Sequence, residues 1–266
     1  MTNEIKIGSF TVHRIGLGTN RITGTEHARA VLLRAAELGV NFIDTADIYQ
    51  RGHSEQTIGE TFQNPYPDGP LIATKGGMSW QDSSAINDPD YLRHALEASL
   101  KRLGRATTDL YQLHRTDPNL PVEQTATVLK ELKDRGNARH IGLSEVTVEQ
   151  IERYRSVVEI VSVQNQYNIF ERKHEAVLDY CERNNIVFIP WYPLAKGRLE
   201  DAAMTRIAKA HAATPVQIAI AWLLQRSPVI LPIPGTLSIE HLERNVAAAT
   251  IALSEEEFHA LDALSR

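Results

Sequence analysis

Short apolar runs alternate with amphipathic, capped segments along the whole chain. The runs fall at 14–17, 40–43, 70–73, 109–113, 140–143, 159–163, 186–190 and 228–233. Most are unbroken stretches of Val, Ile and Leu, the pattern of parallel strands buried on both faces. Between them, helix ends are marked by local chemistry. Thr25 precedes a segment with Val31, Leu32, Ala35 and Leu38 on one side, and Gly39 closes it. Asp88-Pro89-Asp90 supplies a cap, a proline at the first helical position and an acid for the first turn. Leu92, Leu96, Leu100 and Leu103 follow, and Gly104 stops that helix. Thr147 with Gln150, and Thr214 with Gln217, have the spacing of capping boxes, and Ser254 opens a last helix. Eight strand-then-helix units in 266 residues predict an α/β fold, a single (β/α)8 TIM barrel spanning 1–266. Residues 6–12 read as a short N-terminal β-hairpin under the barrel, and the stretch after the eighth strand as C-terminal helices.

Composition narrows the partners. The chain is 42% hydrophobic and 23% charged, ample apolar material for a packed core. Its net charge is -5 and its basic residues are scattered, so neither nucleic acid nor an anionic membrane is an expected partner. No segment reaches the ~18 apolar residues of a membrane span, and residues 1–6 lack the apolar centre of a secretory signal. The one cysteine, Cys181, excludes an internal disulfide and any Cys-cluster metal site; its spacing from Val177 and Leu178 puts it in the core. A cytoplasmic protein acting on a small molecule, with no obligate protein partner, is the expectation.

In such a barrel the chemistry gathers where the strands end. Asp44 follows the second run, with Tyr49 five residues on. Lys75 follows the third, His114 and Arg115 the fourth, Ser144 and Glu145 the fifth, Gln164 the sixth, Trp191 and Tyr192 the seventh, and Gly235 and Thr236 the eighth. Each alone has an ordinary explanation: Asp44 as a turn cap, Tyr49 as rim packing, Lys75 as a loop cation, His114 as a core histidine. Together they make a tuned general acid. A free tyrosine has a pKa of ~10, and an adjacent ammonium favours its phenolate. A carboxylate behind the lysine keeps that ammonium charged, and a histidine adds a second donor to the same substrate oxygen. An acid with no nucleophile and no metal suits proton delivery to a carbonyl oxygen while hydride reaches the carbon.

Residues 39–59, Gly-Val-Asn-Phe-Ile-Asp-Thr-Ala-Asp-Ile-Tyr-Gln-Arg-Gly-His-Ser-Glu-Gln-Thr-Ile-Gly, resemble the aldo-keto reductase signature around its catalytic aspartate and tyrosine. Thr74-Lys75 and Leu113-His114 fall where that family has its lysine and histidine, and the resemblance covers essentially the whole chain. It implies catalytic roles for Asp44, Tyr49, Lys75 and His114, and NADPH bound across the barrel mouth. Gly18, Thr19 and Asn20, together with Asp44, would line the cofactor, and Ser144 and Gln164 would hold its carboxamide. Trp191 would stack on the nicotinamide, with Tyr192 and Leu194 beside it. Gly235, Thr236, His241, Arg244 and Asn245 match the phosphate and adenine segment. Two departures stand out. Glu145 replaces a common asparagine; a carboxylate accepts from the carboxamide NH2 but donates nothing, so Gln164 is expected to donate instead. Gly235 and His241 stand where well-known members carry lysine and arginine, leaving Arg244 as the charge for a 2'-phosphate and NADH open beside NADPH. Short loops at 115–119 and 195–201 imply a shallow substrate pocket walled by Trp80, Arg115, Trp191 and Tyr192, suited to flat or apolar carbonyl compounds.

Three other readings compete. Gly16-Leu17-Gly18 opens like a dinucleotide fingerprint with Asp44 at a second strand end, as in a Rossmann-type NAD dehydrogenase, but the third glycine is missing. A non-catalytic barrel that senses nicotinamide cofactor would need no tuned acid. A metal-dependent hydrolase would use Asp44, Asp47 and His114, with Lys75 opposing the ion; no metal is expected.

Overall fold

The unbroken apolar runs hide a period of two. In the computed structural model, which describes residues 3–194, 199 and 201–265, seven parallel strands follow one another in chain order. They are β3 (Leu17–Gly18), β4 (Phe42–Asp44), β5 (Leu71–Gly76), β6 (Thr108–Leu113), β7 (Ala138–Ser144), β8 (Ile160–Gln164) and β9 (Val187–Phe188). Phe42, Leu71, Ala73 and Leu110 point inward and form one cluster with Ile7, Phe10 and Val12. Ile43 and Ile72 point outward, packing on Leu32, Ala35 and Ile58 of the covering helices. Both faces are apolar low in the barrel, so the alternation is silent in the sequence. Two residues further along each strand the inward position becomes polar: Phe42 gives way to Asp44 and Ala73 to Lys75. The register sets Asp44 beside Ala73 and Lys75 beside Gln112, with His114 two residues beyond.

The run at 228–233 closes the circle with a bridge from Phe188 to Ile230 in place of a full ladder. Phe188 N–H donates to Val229 O, Leu231 N–H to Phe188 O and Gly16 N–H to Pro232 O, each at 2.9 Å. Pro228, Pro232 and Pro234 have no N–H to offer, which is why this strand is the thinnest. The consecutive strand order and the closure rule out the Rossmann alternative. Below the barrel, β1 (Glu4–Ile7) pairs antiparallel with β2 (Phe10–His13) as the expected hairpin.

Helices α1 (Glu26–Glu37), α2 (His53–Thr61), α3 (Pro89–Leu103), α4 (Val122–Asp134), α5 (Val148–Arg155) and α6 (Glu175–Arg183) cover the first strands in turn. Then come α7 (Ala202–Ala210), α8 (Pro215–Arg226), α9 (Ile239–Ala247) and α10 (Glu255–Asp262). The caps are made as written: Thr25 accepts from Ala28 N, and Asp88 from Asp90 N and Tyr91 N. Thr147, Thr214 and Ser254 all form closed capping boxes. Cys181 is fully buried, and burial pushes its thiol up to about 12. No single helix among the described residues is long and apolar enough to cross a membrane. The expected short loop at 195–201 falls largely on residues outside those described.

Candidate active site

Asp44 at the end of β4, Lys75 in β5 and His114 just past β6 meet inside the barrel mouth. Lys75 Nζ donates to both carboxylate oxygens of Asp44, at 2.6 and 2.5 Å, and to Thr45 O at 2.8 Å. Its remaining partner is Tyr49 Oη, at 3.3 Å. The ion pair is sealed: the side chains of Lys75 and Asp44 are 0% and 1% exposed. Tyr49 opens a tight 3-10 turn in which Gln50, Arg51 and Gly52 hold φ of 51°, 55° and 85°. At Gly52 a Cβ would lie 2.7 Å from Arg102 Cδ, so glycine alone fits that left-handed position. This coil leaves the Tyr49 ring edge-on to His114, with centroids 6.1 Å apart.

Burial alone would strip Lys75 of its proton, but Asp44 and then Tyr49 outweigh it and raise its pKa. For Tyr49 the balance runs the other way. Burial is the largest influence and raises the phenol, and Lys75 offsets only part of it. This corrects the expectation that Lys75 brings the resting phenol below its ordinary pKa; the lysine lowers the cost of the phenolate, yet the acid rests protonated. Burial, followed by the charges of Lys75 and Arg115, holds His114 well below the usual imidazole range, so it is neutral. Its buried Nδ1 has no hydrogen-bond partner among the described residues. Arg115 Nη1 donates to His114 O at 2.6 Å and Ser144 Oγ at 3.1 Å, which fixes the guanidinium on the wall.

Asp44, Tyr49, His114 and Arg115 line one cavity of about 780 Å³, within the size range of cofactor sites. Lys75 is not among its lining residues. Gly18, Thr19 and Asn20 on one side, Ser144 and Gln164 opposite, and Trp191, Tyr192, Leu194 and Gly235 also line it. Gly18 and Gly235 form a close seam there: a Cβ on Gly18 would lie 2.7 Å from Ile233 O, and one on Gly235 2.9 Å from Gly18 O. Thr19 Oγ1 donates to Asp44 O at 2.8 Å, tying β3 to β4.

The surroundings of several expected residues differ from the sequence reading. Gln164 Nε2 donates to Asp44 Oδ1 at 2.9 Å, so its amide also supports the carboxylate behind Lys75 while lining the cavity. Glu145 accepts from the indole Nε1 of Trp191 at 2.5 Å. Trp80 is 50% exposed and does not line the cavity; Met78, two residues earlier, does. Thr236, His241, Arg244 and Asn245 also lie outside the lining. Thr236 Oγ1 accepts from Ser238 N, Asn245 is buried, and Arg244 pairs with Glu240 at 2.6 Å. Ile48 and Met78 are apolar lining residues that sequence reasoning missed, their only signal being adjacency to Tyr49 and to Gly76-Gly77. Among the described residues no three His, Cys, Asp or Glu side chains gather as a metal cluster.

Behind the site, Asp47 is buried with Oδ1 unpartnered. Burial, reinforced by Glu55, raises its pKa to about 7. An unfolded aspartate ionises near ~3.9. Between those values the folded chain keeps a proton that the unfolded chain has lost, so Asp47 lowers stability as pH rises from about 4 to about 7, and no further above that. Asp47→Asn is therefore expected to be stabilising at pH 8, by up to about 4 kcal/mol, and neutral near pH 4. Thermal unfolding at the two pH values checks this; equal shifts at both would refute it.

The model of the aldo/keto reductase family matches residues 14–266. An uncharacterised oxidoreductase of Schizosaccharomyces pombe is 44% identical over 275 residues, covering 97% of this chain and 88% of its own. Pyridoxine 4-dehydrogenase of Escherichia coli is 38% identical, covering 100% of this chain and 99% of its own. The crystal structure of an aldo/keto reductase from Klebsiella pneumoniae in complex with NADP and acetate matches with a TM-score of 0.88 at 28% identity, covering 99% of this chain and 95% of that one. With its barrel, its strand order and a family match over nearly its full length, the chain belongs to the aldo/keto reductase family of oxidoreductases.

Proposed function

We propose that this protein reduces aldehydes and ketones to alcohols, reversibly, with NADPH, and that one barrel domain carries the whole reaction. The supporting observation is the Tyr49 hydroxyl 3.3 Å from a buried, carboxylate-held ammonium and edge-on to a neutral imidazole, at the floor of a cavity of cofactor size. The residues fit a nicotinamide nucleotide. Trp191 offers a flat ring, Ser144 a hydroxyl, and the Gly18–Gly235 seam a strip of main chain without side chains. Bound NADPH supplies the hydride.

The chain's own residues supply the rest. His114, neutral, donates a hydrogen bond to the carbonyl oxygen, and Tyr49 Oη gives that oxygen its proton. The phenolate so formed faces Lys75 Nζ, whose charge Asp44 and Gln164 hold in place. Lys75 thus acts through Tyr49, without touching the substrate. Arg115 and Trp191 form the wall nearest the carbonyl. NADP-complexed neighbours favour the phosphorylated cofactor. The pairing of Arg244 with Glu240 weakens that residue's claim to the 2'-phosphate.

The test is NADPH and NADH oxidation by purified protein over a panel of aldehydes that includes 4-nitrobenzaldehyde, with pyridoxine, suggested by the Escherichia coli relative, in the reverse direction. Cofactor binding without turnover of any carbonyl or alcohol would replace this reading with the sensor.

A further inference from the structure

Glu145 takes no part in the proton chemistry, yet it is among the most constrained residues of the mouth. It holds φ of 54°, a left-handed conformation that a side-chain-bearing residue keeps only where its surroundings fix it. Its Oε1 accepts from Trp191 Nε1 at 2.5 Å and from Gln166 N at 2.7 Å. Its Oε2 lies 3.6 Å from His174 Nε2. On the far side of that ring, Asn165 Nδ2 lies 3.0 Å from His174 Nδ1. Its two closest donors, the indole and a main-chain N–H, are uncharged. Among the described residues no lysine or arginine lies within ion-pair distance of it, and the Arg115 guanidinium acts on it from further off. Burial alone would raise its pKa, but the hydrogen bonds from His174, Trp191 and Gln166, with the attraction of His174, hold it at about 2, so it is charged at neutral pH.

We infer that the Glu145 carboxylate, hydrogen-bonded to the back edge of the Trp191 indole, biases the cofactor site toward the oxidised, positively charged nicotinamide. This rests on the reading of Trp191 as the nicotinamide platform. A negative charge at the indole N–H enriches the ring face and attracts a cation stacked on it. A neutral dihydronicotinamide gains nothing comparable. Relatively tighter NADP+ favours the reduction direction on the protein and slows release of the oxidised cofactor.

The experiment is calorimetric titration of NADP+ and NADPH, without carbonyl substrate, into wild type, Glu145→Gln, Glu145→Asn and Trp191→Ala. Glutamine keeps an acceptor for the indole and removes the charge. The ratio of NADP+ to NADPH dissociation constants is expected to rise about tenfold in both Glu145 variants, the order a half-buried charge produces at an effective dielectric constant near 20. A merely structural role would weaken both forms alike and leave the ratio unmoved, and that result overturns the inference. Should the glutamine variant not fold, the asparagine variant, with the residue many relatives carry here, reads the same ratio. Trp191→Ala separates the two levels. Wild-type affinity for both cofactors in that variant would remove the platform and this inference with it. Weakened binding of both, beside an unmoved ratio in the Glu145 variants, would remove the inference alone.

Discussion

Lys75→Met loses turnover by about 10³ and unfolds more easily by about 3–5 kcal/mol, while NADPH affinity changes little. The two losses have different origins. Without the ammonium, the Tyr49 phenolate that forms as the proton leaves has no charge 3.3 Å away to stabilise it. The stability loss comes from Asp44, whose carboxylate is 1% exposed and would lose its buried cation, keeping Gln164 as its one side-chain donor among the described residues. A second substitution separates the effects. Asp44→Asn combined with Lys75→Met leaves no buried charge at the pair and is expected to recover most of the stability and none of the turnover. Denaturant unfolding together with steady-state rates reads both. Near-normal kcat in the single variant, or a double variant as unstable as the single, would refute the corresponding half.

Removing only the acid is the cleaner blow to catalysis. Tyr49→Phe keeps the ring edge-on to His114 and deletes the proton, so kcat is expected to fall by about 10² to 10⁴ with the fold and cofactor affinity intact. The wild-type pH profile carries a companion signature. His114 is held well below the usual imidazole range by burial and by the charges of Lys75 and Arg115. It therefore stays neutral through the ordinary histidine range, and kcat/KM for reduction should show no limb at the usual value near ~6.5. Tyr49 sits above its ordinary value because it is buried, so loss of reduction belongs at alkaline pH, where the proton finally leaves. Wild-type rates in the phenylalanine variant would end the acid assignment. A limb near neutrality that survives removal of Asp47 would end the neutral-histidine assignment.

What could be read from the chain was local. Thr25, Asp88, Thr147, Thr214 and Ser254 announce helix starts because a cap and its target lie within three residues. Asp44, Lys75 and His114 were found because strand ends in a barrel share one rim. The eighth strand was visible as an apolar run, but its prolines limit it to a bridge, a consequence of missing donors that composition alone does not rank. The role of Glu145 was hidden because its partner Trp191 is 46 residues away and on a different strand end. The Tyr49 shift carried the wrong sign because spacing shows a neighbouring lysine but not how much water is excluded. The ion pair of Arg244 was legible too: Glu240 stands four residues before it on the same helix, the usual spacing for such a pair.

The switch from apolar to polar inward positions along each strand divides labour by height. The lower tier, Phe42, Leu71, Ala73 and Leu110 over the hairpin, is packing alone; the upper tier, Asp44, Lys75 and His114, governs rate and adds to stability only through its buried ion pair. Laboratory evolution toward new carbonyls can therefore rewrite the rim while the foundation stays untouched, and thermostabilisation can proceed from below without retuning the acid.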